Sequence, residues 1–299
     1  MVRDGVASSD LTAVVVTHDS AQALPGCLEA LRRAGVSTLV VDNASEDDTA
    51  AIAERHGARL IRNRRNEGYG RANNIGARAV ESHFLLFCNP DVEVEADTVP
   101  QLLGAVRRYP EAGLFAPMIV EPSGRVFFQP RSLLAPYLQN PSGPLVLPEG
   151  DACVPFTSGA CFLISRDLFL RLGGFDESIF LFYEDDDLCR RVAEASPALI
   201  YVPAAIVRHG RGRSSASRPG RIYKSRWHQA WSRAYVSRKY RLPNPAFRVL
   251  TENALKTLGA GLLFRRSLIE RYGGSAAGAL AFLMGRTALE HEGLQDVSR

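Results

Sequence analysis

The stretch Phe84-Leu85-Leu86-Phe87-Cys88-Asn89-Pro90-Asp91 decides the fold. Five consecutive apolar residues with no polar alternation need cover on both faces, as a strand inside a parallel sheet has. Proline cannot carry on a central ladder, so the strand ends at Asn89-Pro90 and leaves Asp91 just beyond it. In open α/β sheets ligands bind at the carboxyl ends of the strands, which makes Asp91 a candidate site residue.

Strand and helix signals alternate on either side of this stretch. Upstream, Leu11–Thr17 is an apolar, β-branched run ended by His18-Asp19-Ser20. Leu24, Leu28 and Leu31 recur at helical spacing until Gly35, and the strand Thr38–Val41 follows with Asp42 at its carboxyl end. Ser45 and Asp48 read as a capping-box variant for a helix through Ile52. A strand at Arg59–Ile61 leads through a Gly/Asn-rich turn to a helix near Asn73–Val80. Downstream, Val99, Leu102, Leu103 and Val106 mark a helix, and Leu114–Val120 a strand. Six of the 17 prolines fall in residues 130–155, expected to be an irregular loop shaping a pocket. Ala160–Ile164 reads as a strand, Ser165 as the cap of a helix over 166–172, and Leu199–Val202 as a further strand. This β-α-β-α order predicts an α/β fold, a Rossmann-like, mostly parallel central sheet with helices on both faces.

A second acidic site lies in Phe182-Tyr183-Glu184-Asp185-Asp186-Asp187-Leu188-Cys189-Arg190-Arg191. The helix dipole favours acids in a first turn, and Arg190 and Arg191 are placed to neutralise them by i, i+3 and i, i+4 pairing. Four carboxylates in a row still repel, which raises their proton affinity towards a range useful to a general base. Two acidic sites so far apart suggest a metal-assisted reaction with a separate base.

The 299 residues can bury one large core, or a core with a smaller appendage. The five cysteines stand singly, with no metal-finger spacing, which fits thiols in a reducing compartment. The first ten residues carry no apolar signal region, and no window holds 18 uninterrupted apolar residues. A cytoplasmic protein, or one peripheral on the cytoplasmic face of an inner membrane, is expected. Net charge is −9 over residues 1–204 and +13 over residues 205–299, together the +4 of the chain. The acidic part suits a cation, and the basic part an anionic partner.

The segment Asn66-Glu67-Gly68-Tyr69-Gly70-Arg71-Ala72-Asn73 is not a dinucleotide fingerprint, because Asn73 stands where GxGxxG has its third glycine. Its glycines still admit close backbone approach, and the helix start that follows favours anions.

In their order, Val14-Val15-Val16-Thr17, Val41-Asp42-Asn43-Ala44-Ser45, Asn66–Gly76, Asn89-Pro90-Asp91, Gly173-Gly174-Phe175-Asp176-Glu177 and Glu184–Asp187 resemble the motifs of family 2 glycosyltransferases, in particular the bacterial rhamnosyltransferase-like branch. The resemblance spans about residues 10–215. It implies the GT-A fold and inverting transfer of a sugar from a nucleotide diphosphate donor, the candidate donor being dTDP-rhamnose. The acceptor implied is a saccharide or a polyprenyl-linked saccharide in cell-wall or surface polysaccharide synthesis.

By that resemblance Asp185 is the general base, with Glu184 and Asp187 orienting the acceptor or the helix. Asp42 reads the nucleobase and ribose region of the donor, Thr17 lines the same pocket, and Asn66, Gly68 and Asn73 belong to the nucleotide-sugar site. Asp91 matches the last acid of the DxD element that holds a divalent cation, Mg²⁺ or Mn²⁺. Asn89 replaces the first acid, so the cation would lean on waters and phosphate oxygens. The resemblance implies that His209 completes the metal site or contacts the diphosphate, and Arg211 and Arg213, on a glycine-rich loop, suit a clamp on the diphosphate. The chain departs from the commoner Tyr-Asn of the first motif by having His18-Asp19.

The expected organisation is a catalytic domain over 1–215 and a basic, aromatic helical tail over 216–299. Trp227, Trp231 and Tyr235 recur at i, i+4, i+8 among arginines and lysines, and Phe247, Leu250, Ala254, Leu258 and Leu262 form a second stripe. Core packing accounts for such stripes; the surrounding arginines favour a membrane surface, a lipid-linked acceptor or another subunit of a homo-oligomer. Nucleic acid is disfavoured, since no RNA-binding or helix-turn-helix signature is present. Two rival functions differ in kind. A nucleotidyltransferase would carry a glycine-rich, Lys-bearing loop where Thr17-His18-Asp19-Ser20 stands. A non-catalytic nucleotide-sugar-binding protein would gain little from the acidic run.

Overall fold

Among the described residues one ten-stranded sheet forms, in the order β3 (Arg59–Arg62), β2 (Ser37–Asp42), β1 (Leu11–Thr17), β4 (Phe84–Cys88), β9 (Cys161–Ser165), β6 (Leu114–Val120), β10 (Leu199–His209), β5 (Val92–Val94), with β7 (Val126–Phe127) beside β6 and β8 (Ala152–Cys153) beside β10. The computed structural model describes residues 10–129, 132–134, 146–195, 198–210 and 219–294. In chain order the elements begin β1 (Leu11–Thr17), α1 (Leu24–Arg33), β2 (Ser37–Asp42), α2 (Thr49–Arg55), β3 (Arg59–Arg62), α3 (Tyr69–Arg78) and β4 (Phe84–Cys88). Then come β5 (Val92–Val94), α4 (Thr98–Arg108), β6 (Leu114–Val120), β7 (Val126–Phe127), β8 (Ala152–Cys153) and β9 (Cys161–Ser165). The remainder is α5 (Arg166–Arg171), α6 (Glu184–Ala195), β10 (Leu199–His209), α7 (Arg221–Lys239), α8 (Ala246–Leu262), α9 (Arg266–Leu283) and α10 (Ala288–His291).

The expected α/β architecture is present. β3, β2, β1 and β4 pair in parallel, as do β6 and β10. β9 runs antiparallel between β4 and β6, so its first residues lie against the last residues of β4. This inversion puts Gly159-Ala160 on the edge of the sheet where the parallel strands end.

Period-two alternation divides the apolar residues between two layers. Val15, Leu31, Leu86, Leu102 and Leu163 pack under α1 and α4. Val14, Val41, Phe87, Phe162, Phe169, Phe175 and Leu188 pack under α3, α5 and α6. Phe87, buried completely, touches the rings of Phe162, Phe169 and Phe175 at centroid distances of 4.8–5.6 Å. Phe84–Cys88 is therefore apolar throughout because both of its faces are core.

Several local expectations change. Ser45 does not cap α2: the left-handed Ala44 (φ 61°) turns its hydroxyl onto Asp42, and the N-cap Asp48 makes no side-chain bond to the helix. α3 starts at Tyr69, because Gly68 at φ 85° makes the turn in one residue. β10 continues past Pro203 to His209 by shifting register between Val202 and Ile206, a bulge that the proline accommodates. Ser165 caps α5 as expected, accepting from Leu168 N at 3.2 Å. Much of the proline-rich loop, residues 130–131 and 135–145, lies outside the described residues.

The aromatic stripe on α7 is core rather than an exposed interface. Trp227 and Trp231 are each 3% exposed, packed with Phe180, Phe282, Ala288 and Leu289.

Candidate functional site

The carboxyl ends of β1, β2 and β4 meet the amino end of β9 and the carboxyl end of β10 along one sheet edge. Every sequence-predicted site residue within the described chain falls on this edge or on a loop or helix end packed against it. Arg211 and Arg213 lie outside the described residues.

At the β1/β2 end, Asp42 is fully buried. Its Oδ1 accepts from Ser45 Oγ, from Ser45 N at 3.3 Å and from Thr17 Oγ1 at 3.4 Å. Its Oδ2 makes no hydrogen bond among the described residues, with Arg62 Nε 3.6 Å away. A buried carboxylate oxygen left without a donor is costly unless a ligand supplies one. That favours Asp42 as a reader of ligand N–H or O–H groups.

Asn43, which sequence reasoning passed over, knits this end together. Its Nδ2 donates to Asn66 Oδ1 (2.8 Å) and Gly68 O (3.2 Å), and its Oδ1 accepts from Asn63 Nδ2 and Glu67 N, both at 2.9 Å. Asn66 Oδ1 accepts in turn from Gly68 N at 2.9 Å. Asn66 and Gly68 thus join the loop before α3 to the end of β2. A side chain on Gly68 would meet Phe180 O at 2.5 Å, so glycine alone fits. Asn73 is turned into its own helix, donating to Tyr69 O at 3.0 Å. Asn74 supports a different motif: it accepts from Phe175 N (2.8 Å) and donates to Phe175 O (2.9 Å) and Glu177 Oε1 (3.0 Å). That explains why Gly173-Gly174-Phe175-Asp176-Glu177 accompanies the Asn-rich segment.

At the β4 end, Asn89 N donates to Ala160 O at 2.8 Å and the Asn89 side chain is half-buried. Asp91 is 6% exposed, and His209 Nε2 stands 3.3 Å from its Oδ1. The pairing of His209 with Val92 across β10 and β5 brings them together. One carboxylate and one imidazole suit a divalent cation that keeps waters and phosphate oxygens. Among the described residues no group of three His, Cys, Asp or Glu that could hold a metal ion assembles.

The acidic run sits on the other side of Gly159. Asp185 Oδ2 accepts from Gly159 N and its Oδ1 from Asp186 N, each at 3.0 Å. Tyr69 Oη donates to Gly159 O at 2.6 Å. Burial pushes the Asp185 carboxyl above its ordinary range, against the pull of those two N–H donors. Burial and then the Asp185 charge push Glu184 well up, and the same two causes bring Asp186 to about 7. Ser132 Oγ donates to Asp186 Oδ1 at 2.6 Å. Phe182 and Tyr183, both at φ 68°, enter this helix in left-handed conformations that aromatic residues rarely adopt. Such strain is held only where the surrounding packing fixes it.

Asp187 faces inward instead. It is fully buried, accepting from Arg191 Nε (2.8 Å), Lys239 Nζ (2.5 Å) and Tyr240 Oη (2.8 Å). It therefore fastens α6 to the end of α7. Arg191 neutralises the run as expected, but Arg190 pairs with Glu194 at 2.6 Å and with Leu134 O at 2.8 Å.

The glycosyl transferase family 2 profile matches residues 12–173, more than half of the chain. The N-acetylglucosaminyl-diphospho-decaprenol L-rhamnosyltransferase of Mycobacterium tuberculosis is 32% identical over 268 residues, covering 75% of this chain and 87% of that protein. Rhamnosyltransferase WbbL of Escherichia coli K12 is 27% identical, over 60% of this chain and 74% of its own length. Among solved structures, the Pyrobaculum calidifontis mannosyltransferase PcManGT, in complex with GDP-Man and Mn²⁺, superposes with a TM-score of 0.57 at 17% identity, covering 92% of this chain and 87% of that one. Residues 1–349 of S. aureus TarS superpose at 0.56 and 14% identity over 92% of both chains. The fold is GT-A, the motifs sit on its sheet edge, and the chain belongs to glycosyl transferase family 2.

Proposed function

We propose that the protein transfers rhamnose, from dTDP-rhamnose, to a polyprenyl-linked saccharide during bacterial surface-glycan synthesis, with inversion at the anomeric carbon. The similarity to the M. tuberculosis L-rhamnosyltransferase supports rhamnose as the sugar and a diphospho-polyprenol-linked saccharide as the acceptor. The observation that carries the chemistry is Asp185, a raised carboxyl oriented by main-chain N–H groups across one short turn from Asn89 and Asp91.

Each part of the edge has one task. Thr17 and Asp42 receive the nucleoside, the open Oδ2 of Asp42 accepting from it. Asn89 faces the donor sugar or diphosphate. Asp185 takes the proton of the acceptor hydroxyl as that oxygen bonds to the anomeric carbon and the diphosphate oxygen leaves with its bonding electrons. Asp91 and His209 would hold Mg²⁺ or Mn²⁺, which when bound supplies charge stabilisation to the diphosphate. The Gly159 amide orients the base, and burial raises its proton affinity before substrate arrives, against the pull of that N–H.

The test is a panel of nucleotide sugars with and without Mn²⁺ or Mg²⁺, reading both calorimetric binding and release of nucleoside diphosphate on adding acceptor. Binding of dTDP-rhamnose that Asp42→Ala abolishes, with acceptor-dependent release, is expected. Release by a different donor would replace rhamnose, and no binding of any nucleotide would overturn the site.

A further inference from the structure

The outermost helix, α8, carries its apolar residues on the wrong side for a core. Phe247, Leu255, Leu258 and Leu262 are 69–82% exposed and recur, with Thr251, at i, i+4, i+8, i+11 and i+15. That spacing is one stripe along the helix. α8 packs chiefly against α9, which packs against α7, so the stripe points away from the protein. At its end Leu263 is 68% and Phe264 93% exposed, in the turn joining α8 to α9. Monomeric proteins rarely leave so much contiguous apolar surface in water.

We infer that this stripe and turn are the surface by which the protein lies on an anionic lipid leaflet. Charge argues for lipid as occupant. Between Ala246 and Arg271 there are five cations, Arg248, Lys256, Arg265, Arg266 and Arg271, against two acids. Both acids, Glu252 and Glu270, are taken by Arg248 and Arg266. Arg265 and Arg266 directly follow the exposed Leu263-Phe264, so rings and methyls can enter the acyl boundary while guanidinium groups meet lipid phosphates. No described helix is long and apolar enough to cross a membrane. The element lies on the bilayer and does not span it.

The arrangement connects to the site. α9 rests on α7, and α7 holds Asp187 through Lys239 and Asp176 through Tyr235 and Lys239. A leaflet under α8 would therefore be fixed in orientation relative to Asp185. This purpose rests on the lipid-linked acceptor proposed above; the surface itself rests on exposure and charge.

The experiment is flotation of the full chain with vesicles of phosphatidylcholine alone or mixed with phosphatidylglycerol. It is paired with turnover on a water-soluble acceptor. Flotation with the anionic vesicles only, weakening as salt rises, is expected. Phe264→Asp and Leu263→Asp should each lower partitioning by at least about tenfold, the loss of one buried apolar side chain. Arg265→Glu with Arg266→Glu should lower it and flatten its salt dependence. Turnover on the soluble acceptor should be unchanged in all of these variants, which also shows that they fold. Failure of the wild type to float, or flotation indifferent to these changes, overturns the surface. So does a dimer that Phe264→Asp dissociates without any vesicle binding, since a second copy would then be the occupant. A chain that floats but transfers no sugar supports the surface and contradicts the activity; one that transfers sugar but ignores vesicles contradicts the surface alone.

Discussion

Gly159 donates its backbone N–H to Asp185 Oδ2 at 3.0 Å, so main chain and not side chain aims the proposed base. The next carbonyl, of Ala160, accepts from Asn89 N at 2.8 Å. One turn before β9 thus sets the distance between the acidic helix and the Asn89-Pro90-Asp91 element. A β-carbon on Gly159 would lie 3.3 Å from Asp185 Cβ and 3.5 Å from its Oδ2. Gly159→Ala is expected to lower kcat by roughly tenfold through a displaced base, with donor KM little changed. Steady-state kinetics with varied donor checks it; an unchanged kcat would mean the turn does not position Asp185.

Protonation gives a second prediction. A base must be deprotonated to work, and Asp186 titrates at about 7 beside a raised Asp185 and Glu184. Turnover should fall as pH drops through this region, with apparent pKa values belonging to the carboxylate set. Asp186→Asn removes a neighbouring negative charge and should move the acid limb to lower pH.

Stability follows the same group with the sign worked out. The folded state holds the Asp186 proton up to about 7, whereas an unfolded Asp releases it near about 4. Between those values the folded state binds more protons, so this group makes stability fall as pH rises. Asp186→Asn should therefore raise Tm more at about pH 8 than at about pH 5. Thermal melts at the two pH values decide it.

The basic tail should prove inseparable from the catalytic part. Burial would push Asp176 up, but the Lys239 charge and the hydrogen bonds from Lys239, Ser178 and Tyr235 hold it below its usual range. Lys239 also reaches the fully buried Asp187. Lys239→Met is expected to cost about 2–4 kcal/mol by leaving one buried and one half-buried carboxylate short of a cation. Tyr240→Phe, which removes one hydrogen bond, should cost about 1 kcal/mol. Urea denaturation measures both.

Asn43→Ala removes four hydrogen bonds that join β2, the end of β3 and the loop before α3. About 2–3 kcal/mol of stability should be lost, with weaker nucleotide binding because Asp42 is adjacent. Equal nucleotide affinity in the variant would separate Asn43 from the donor site.

Much of this was legible in the sequence, and the parts that were not have physical causes. Apolar and β-branched runs located β1, β4 and β6 to the residue, because a strand buried on both faces takes few polar residues. Asp42 and Asp91 could be placed because strand ends are where a parallel sheet puts polar groups, whereas His209 was singled out by the family resemblance alone. Asn43 and Gly159 were missed because they act through neighbours distant in sequence, at separations of 23–26 residues. Beyond Val202 β10 was hidden by Pro203, which ends most strands but here sits at a bulge. The α7 and α8 stripes look alike in sequence, yet Trp231 is 3% and Leu262 82% exposed; which helix the others cover is decided by tertiary packing.

The most direct test of the account is Asp185→Asn, an isosteric change that removes only the proton-accepting charge. Nucleotide binding by calorimetry should be retained, while transfer to the acceptor falls by roughly 10²–10⁴-fold. Normal turnover in that variant would contradict the role given to Asp185 and, with it, the reading of the acidic helix as the site of proton transfer.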